Sequence, residues 1–240
     1  MSIRRTLFAA FLCGLWPTAV FAQSAASPML VELFTAQGCP TCPLADEVLV
    51  KLAKRSDVVA LAFHVDLWDN KGWRDQLAIP ASKTRQKNYR KALRKPDVYT
   101  PQMVINGTVD FPGQDLAAVD KILNFVRART PLGPVLTLER DGPAMLNVAV
   151  AAAPAWNDAV VWMASFDAMH TVAITRGKNR GRTAVNVNIV RDLRNLGPYS
   201  GQAWESKVDL TGVAPGQGIA VWMQPADLGP VGAAAVLPPA

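Results

Sequence analysis

Two cysteines separated by two residues, in Cys39-Pro40-Thr41-Cys42, carry the plainest chemistry in this sequence. A thiolate at the first turn of a helix gains from unpaired backbone N–H groups and the positive end of the dipole, an effect of about 0.3 to 1 kcal/mol at exposed sites. Cys39 is the cysteine placed to collect that gain. Cys42, further along the same face, can attack a mixed disulfide formed at Cys39 and release the partner, which is thiol–disulfide exchange. The expected roles are therefore Cys39 as nucleophile and Cys42 as resolving thiol. His64 ends an apolar run and could shuttle a proton to or from the cysteines, or complete a copper site with Cys39 and Cys42. A hydrogen-bonded histidine with no chemistry is the plain alternative. Asp66, Asp69 and Asp75 are expected to serve as loop and cap residues.

The elements that must position these groups can be read from hydrophobic pattern. Met29 to Ala36 reads as a short buried strand, and after Pro43 the residues Leu44, Val48, Leu49 and Leu52 recur at helical spacing. Val58 to Val65 reads as a second buried strand, placing His64 and Asp66 at its C-terminal end, where parallel α/β sheets gather functional groups. A Trp- and Asp-rich stretch follows, in which Trp68 and Trp73 either wall a groove or pack an insertion onto the body. Residues 81–95 read as a mostly solvated helix with seven basic residues and no acidic ones. Asn106-Gly107 between two strand-like runs is a hairpin signal, and residues 115–129 form an amphipathic helix.

At 240 residues, 50% hydrophobic and 18% charged, the chain can bury a sizeable core. Its first segment has Arg4 and Arg5, an apolar middle from Leu7 to Leu15 and the small-residue end Val20-Phe21-Ala22, so residues 1–22 read as a signal peptide cleaved after Ala22. Arg4-Arg5 leaves the general and twin-arginine export routes both open. Losing this leader removes Cys13 and two arginines, and the net charge falls from +6 to +4. Cys39 and Cys42 then remain alone in an exported, oxidising compartment, the bacterial periplasm or the medium. Export also makes nucleic acid an unsuitable target.

Pro131-Leu132-Gly133-Pro134 reads as a linker, after which period-two alternation dominates. Six candidate strands fall between Val135 and Met223, spaced by Gly, Pro and Asn. Residues 135–230 are therefore expected to form an antiparallel β-sandwich, and residues 231–240 a loose Ala/Pro-rich tail.

The order strand, Cys-Pro-Thr-Cys helix, strand, inserted helix, Thr100-Pro101, hairpin and helix resembles the thioredoxin fold. That resemblance implies an α/β thioredoxin-like domain over residues 23–130, with a helical insertion at about 67–97, followed by the all-β sandwich-like C-terminal domain. It also implies a cis proline at Pro101, preceded by Thr100, facing the cysteines and offering a backbone edge to substrate peptide. Four blocks are similar to an exported bacterial family of unknown function, DUF1223. They are Val31-Glu32-Leu33-Phe34-Thr35-Ala36-Gln37-Gly38-Cys39, Ala62-Phe63-His64-Val65-Asp66-Leu67-Trp68-Asp69, Tyr99-Thr100-Pro101-Gln102-Met103-Val104 and Arg176-Gly177-Lys178-Asn179-Arg180-Gly181-Arg182-Thr183.

Three functions compete. The first is an exported thiol–disulfide oxidoreductase with a redox-active Cys39–Cys42 disulfide and no other cofactor. It would act on protein or peptide thiols and disulfides and draw on a membrane or small-thiol electron donor. The second is a copper or other soft-metal binding module using Cys39, Cys42 and His64. The third is a structural or adaptor protein in which the pair is a staple, although so small a loop constrains the unfolded chain little. The basic 81–95 helix and the cations of Arg176 to Arg182 could also meet an anionic partner or surface.

Overall fold

The computed structural model describes residues 27–239, so the expected leader lies outside the described residues. Seven consecutive buried residues form β1 (Met29–Thr35). Pleating sends Leu30 and Phe34 to one core and Met29, Val31 and Leu33 to another. Helix α1 (Cys42–Leu52) covers the second face with Ala45, Val48, Leu49 and Leu52. Strand β2 (Val58–His64) runs parallel to β1, with Thr35 opposite His64. A loop containing a 3-10 turn at Asp69–Lys71 leads to α2 (Pro80–Ala92). Then come β3 (Gln102–Ile105), antiparallel to β1, β4 (Val109–Phe111), and α3 (Leu116–Arg127). The β3–β4 connection is the Asn-Gly hairpin, with Asn106 at φ 47° and Gly107 at φ 72°.

The second half supplies β5 (Leu136–Asp141), β6 (Met145–Val150), β7 (Ala159–Ala173), β8 (Thr183–Tyr199), β9 (Trp204–Asp209), β10 (Gly218–Pro225) and β11 (Ala233–Leu237). These strands overturn the expected division into an α/β thioredoxin-like domain followed by a separate β-sandwich. A single eight-stranded mixed sheet runs through both halves in the order β11-β10-β7-β8-β2-β1-β3-β4, and β5-β6-β9 form a separate three-stranded sheet. The described residues are mostly β, with eleven strands and three α-helices.

The physical reason lies at β2. Its outer edge would expose unpaired N–H and C=O groups in an isolated N-terminal domain. Instead β8 runs beside it, with Ile189 opposite Ala62 and the Asn188 side-chain amide donating to the Ala60 carbonyl at 2.8 Å. Period-two alternation could not show which sheet these strands would join. Residues 233–237 of the expected loose tail likewise pair with β10 as its outer neighbour, and Ala233 and Ala234 are buried.

Helix α2 also departs from expectation. Arg85 and Tyr89 project into the core, where pleating has placed the carboxylate of Glu32 from β1, and all three are buried. Both Arg85 and the Tyr89 hydroxyl donate to Glu32. From β10, the Gln224 side chain accepts from Arg85 at 2.9 Å and donates to the Tyr89 hydroxyl at 3.1 Å. The guanidinium lies 5.0 Å from the Trp222 ring centroid and 5.6 Å from that of Trp162. Burial opposes the Arg85 charge, but Glu32 outweighs it and holds the arginine above its ordinary range.

Glu32→Leu leaves this guanidinium buried without its carboxylate and is expected to cost about 3 to 5 kcal/mol in urea unfolding. The double variant Glu32→Leu/Arg85→Met is expected to recover most of that loss. An equal loss in both would place the cost in packing rather than in the unpaired charge.

Candidate functional site

Strand β1 ends at Thr35, and a turn closed by the Cys39 N–H to the Ala36 carbonyl (3.0 Å) carries the chain into α1. Thr41 is the N-cap, Cys42 the first helical residue, and Pro43 fills the first turn, where its missing N–H costs nothing. Cys39 therefore lies ahead of the helix rather than in its first turn, and Cys42 opens it. The two sulfurs form a disulfide, with Cα atoms 5.4 Å apart. Both cysteines are 0% exposed.

The cover over Cys39 has four parts, three of them from the N-terminal half. The Thr100–Pro101 peptide bond is cis, and the Thr100 carbonyl oxygen lies 3.7 Å from Cys39 Sγ, placed to accept from the thiol of the reduced form. The Thr41 hydroxyl stands 3.5 Å from the same sulfur. Trp68 donates through its indole N–H to the Thr100 hydroxyl at 2.9 Å, and its Cβ would lie 2.9 Å from any Cβ at Gly38. That close approach requires glycine before the cysteine.

Asn179 completes the cover from the distant end of the sequence. It sits in the loop joining β7 to β8 and is buried, and its amide donates to the Gln37 carbonyl at 2.8 Å and the Cys39 carbonyl at 2.7 Å. The loop approaches closely because Gly177, at φ 75°, packs against the backbone around Gly72 and Trp73. Trp73 in turn donates to the Gln37 side-chain carbonyl at 2.9 Å. Both tryptophans of the insertion thus pack onto the site rather than standing free as groove walls.

Beneath the disulfide lies a polar cluster. Asp46, four residues after Cys42 and so on the same helical face, accepts from the Thr35 hydroxyl at 2.8 Å. Burial pushes its carboxyl up to about 6, against the lowering influence of His64 and Thr35. His64, on the strand position beside Thr35, bonds through Nδ1 to Asp75 at 2.8 Å, and its buried Nε2 has no partner. Burial also opposes charge on Asp75, but His64 and the N–H groups of Gln37 and Leu77 outweigh it and hold that carboxyl below the usual range. A cavity of about 130 Å³ between α1 and the β7–β8 loop opens onto Asp46, Gln37, Asn179 and Arg182.

Cys39, Cys42, Thr100, Pro101 and the His64 cluster therefore converge from separate stretches of sequence. Asp66 instead pairs with Lys83 at 2.9 Å, and Asp75 is a partner of His64 as well as a cap for Leu77. Among the described residues, no three His, Cys, Asp or Glu stand together in an arrangement that could hold a metal ion. Asp46 and Asn179 were not singled out as candidates from the sequence. The signal for Asp46 was its spacing from Cys42. Asn179 lay within a stretch notable for its cations.

Removing the Asn179 amide frees two buried carbonyls. Asn179→Ala is expected to speed native-state reduction of the disulfide by a small dithiol roughly tenfold, followed by thiol trapping, since each lost bond is worth about 1 kcal/mol. An unchanged rate would show that this loop does not limit access.

Over residues 30–224 the chain matches the family described as "Protein of unknown function (DUF1223)". It is similar to the crystal structure of protein AGR_C_4864 from Agrobacterium tumefaciens, at 30% identity and a TM-score of 0.77, covering 90% of this chain and 96% of that one. It is also similar to HBP35 of Porphyromonas gingivalis, with a TM-score of 0.65 over 89% of this chain and 76% of that one, and at 12% identity this likeness concerns the fold alone. No curated protein matches the chain. The blocks holding Cys39, His64, Pro101 and Asn179 all fall inside the matched span, and the chain belongs to the DUF1223 family, whose function is unknown.

Proposed function

We propose that this protein is an exported thiol–disulfide oxidoreductase acting through Cys39 and Cys42 on protein or peptide thiols. The observation that carries the proposal is the placement of Asp46, half-buried one helical turn beyond Cys42 and bonded by the Thr35 hydroxyl, where burial pushes its carboxyl up to about 6. A staple needs no proton donor beside it, whereas exchange does. An incoming thiolate attacks Cys39 Sγ, the Cys39–Cys42 bond breaks, and Cys42 leaves as a thiolate that takes the proton of neutral Asp46. A second substrate thiol then attacks the mixed disulfide, releasing oxidised substrate and the reduced pair. In reverse, the Asp46 carboxylate accepts the Cys42 proton as that sulfur attacks. His64, fixed by Asp75, is positioned to stabilise the Asp46 charge.

Attack on Cys39 requires Trp68 and the Asn179 loop to move aside, and the partner's approach supplies the occasion. The export assignment rests on the leader composition and on the pairing of the two cysteines that remain after it, a pairing suited to an oxidising compartment. Complete burial of both sulfurs favours a second reading, in which the disulfide is a staple in an adaptor protein.

Equilibration in metal-free glutathione buffers with thiol trapping separates the two. Exchange predicts a couple that titrates between the thioredoxin and disulfide-isomerase potentials, roughly −270 to −180 mV. A pair that stays oxidised at the most reducing poise would leave only the staple. Kinetics test Asp46 directly. Neutral Asp46 prevails below about pH 6, so the rate of reduction per attacking thiolate falls as pH rises through 6, and the rate of reoxidation rises over the same window. Asp46→Asn is expected to flatten both profiles and slow them by about tenfold or more.

A further inference from the structure

The cations of this chain divide into two sets. Some of those away from the site are neutralised by carboxylates, among them Arg55 by Asp57 and Asp120, Arg127 by Asp57, Lys95 by Asp110, and Lys207 by Asp141, while others, such as Lys87, Lys91 and Arg94 around α2, stand alone. Around the disulfide none is paired. Lys71 and Arg74 flank Gly72 and Trp73, while Arg176, Lys178, Arg180 and Arg182 surround the Asn179 loop, and all six are exposed. Among the described residues none of these six side chains makes an ion pair or a hydrogen bond to the protein. The two groups meet, since a Cβ at Gly72 would lie 3.4 Å from the Gly177 Cα. The loop they share binds the Cys39 carbonyl through Asn179.

The described residues carry a net charge of +4, so these six cations leave −2 for everything else. These six unpaired cations form a collar over the disulfide. Asp46 and Glu47 of α1 share the cavity with Arg182 and neither bonds to it, while Asp75, next to Arg74 in sequence, is buried against His64, and Asp69 accepts from the Asp75 N–H. Six unpaired cations on a loop packed by glycine and held by buried hydrogen bonds form a fixed positive surface, suited to raising the local concentration of an anionic partner.

We propose that the collar docks an acidic peptide segment across the disulfide, so that the exchange partner is a cysteine flanked by Asp and Glu. The substrate class rests on the exchange reading, but the docking surface does not. Docking at the collar also bears on the Asn179 loop and Trp73, the elements that cover Cys39.

The test uses three peptides that differ only in the residues flanking one cysteine, acidic, neutral or basic, each prepared as the cysteine form and as a serine analogue. Serine peptides report docking through the fluorescence of the intact protein. Cysteine peptides, offered as mixed disulfides to the reduced protein, report exchange. Docking and exchange with the acidic peptide are expected to exceed those with the basic peptide at least tenfold at 20 mM salt and to converge near 0.5 M salt, where screening shortens the reach of charge. Lys178→Glu/Arg180→Glu should abolish the preference, read as the ratio of acidic-peptide to basic-peptide rates within the variant. Arg74→Glu, remote from the Asn179 loop in sequence, should reduce it independently. Equal rates for all three cysteine peptides would overturn the collar proposal while leaving exchange standing. Salt-sensitive docking of the acidic serine peptide without any exchange would support the collar and sink the exchange reading. Binding to phosphatidylglycerol vesicles with no peptide discrimination would overturn the proposal in favour of a membrane surface.

Discussion

Everything in this fold is arranged around a charge that cannot be left alone. Glu32 sits mid-strand in β1 with no exposure, and pleating aims it into the apolar layer between the large sheet and α2. An isolated buried carboxylate costs several kcal/mol, so it must be paired and hydrogen-bonded. Arg85 and Tyr89 answer from α2, and Gln224 from β10. Because these four residues come from β1, the inserted helix α2 and β10 of the C-terminal half, satisfying Glu32 fixes the mutual position of the three elements. The aromatic rings around Arg85 then fill the space between them.

That constraint accounts for the continuity of the sheet. An N-terminal unit standing by itself would end at β2, yet Gln224 reaches Arg85 and Tyr89 only if β10 lies in the same layer as β1. β8 and β7 are the strands that bridge the gap. The 17-residue length of β8 serves two purposes. Its middle runs beside β2 through Ile189 and Asn188, and its beginning projects past the sheet with β7 as a ribbon whose loop folds back over the disulfide. The strand that removes the boundary between halves also delivers Asn179 to Cys39.

Local chemistry was therefore legible where it was written in adjacent residues, and long-range pairing was not. The Cys39–Cys42 spacing, the strand ending at His64, the Asn106-Gly107 turn and the helix after Asp115 all follow from pattern within a few residues. The partners of Glu32 lie 53 and more residues away, and no periodicity in β1 or in the basic helix announces them. Arg85 shows the limit well: among seven cations in that stretch it alone is fully buried, and only its helical offset toward Tyr89 hints at it. Asn179 is the same case in reverse, a neutral residue hidden among four cations.

Burial of the disulfide and concentration of charge above it are best understood together. A fully exposed pair would react with any thiol, whereas a pair sealed by core packing would react with none. Here the seal is mixed. Its inner wall is the apolar core, but its outer wall is made of polar contacts: Asn179 to two carbonyls, Trp68 to Thr100 and Trp73 to Gln37. Polar contacts of this kind are individually worth about 1 kcal/mol and are exchangeable, because a partner's own backbone and side chains can replace them. The cations that ring this wall make an anionic partner the one best able to approach. On that view the cover selects among partners and the chemistry below it does not, since Asp46 and His64 serve the proton of Cys42 whichever partner has docked.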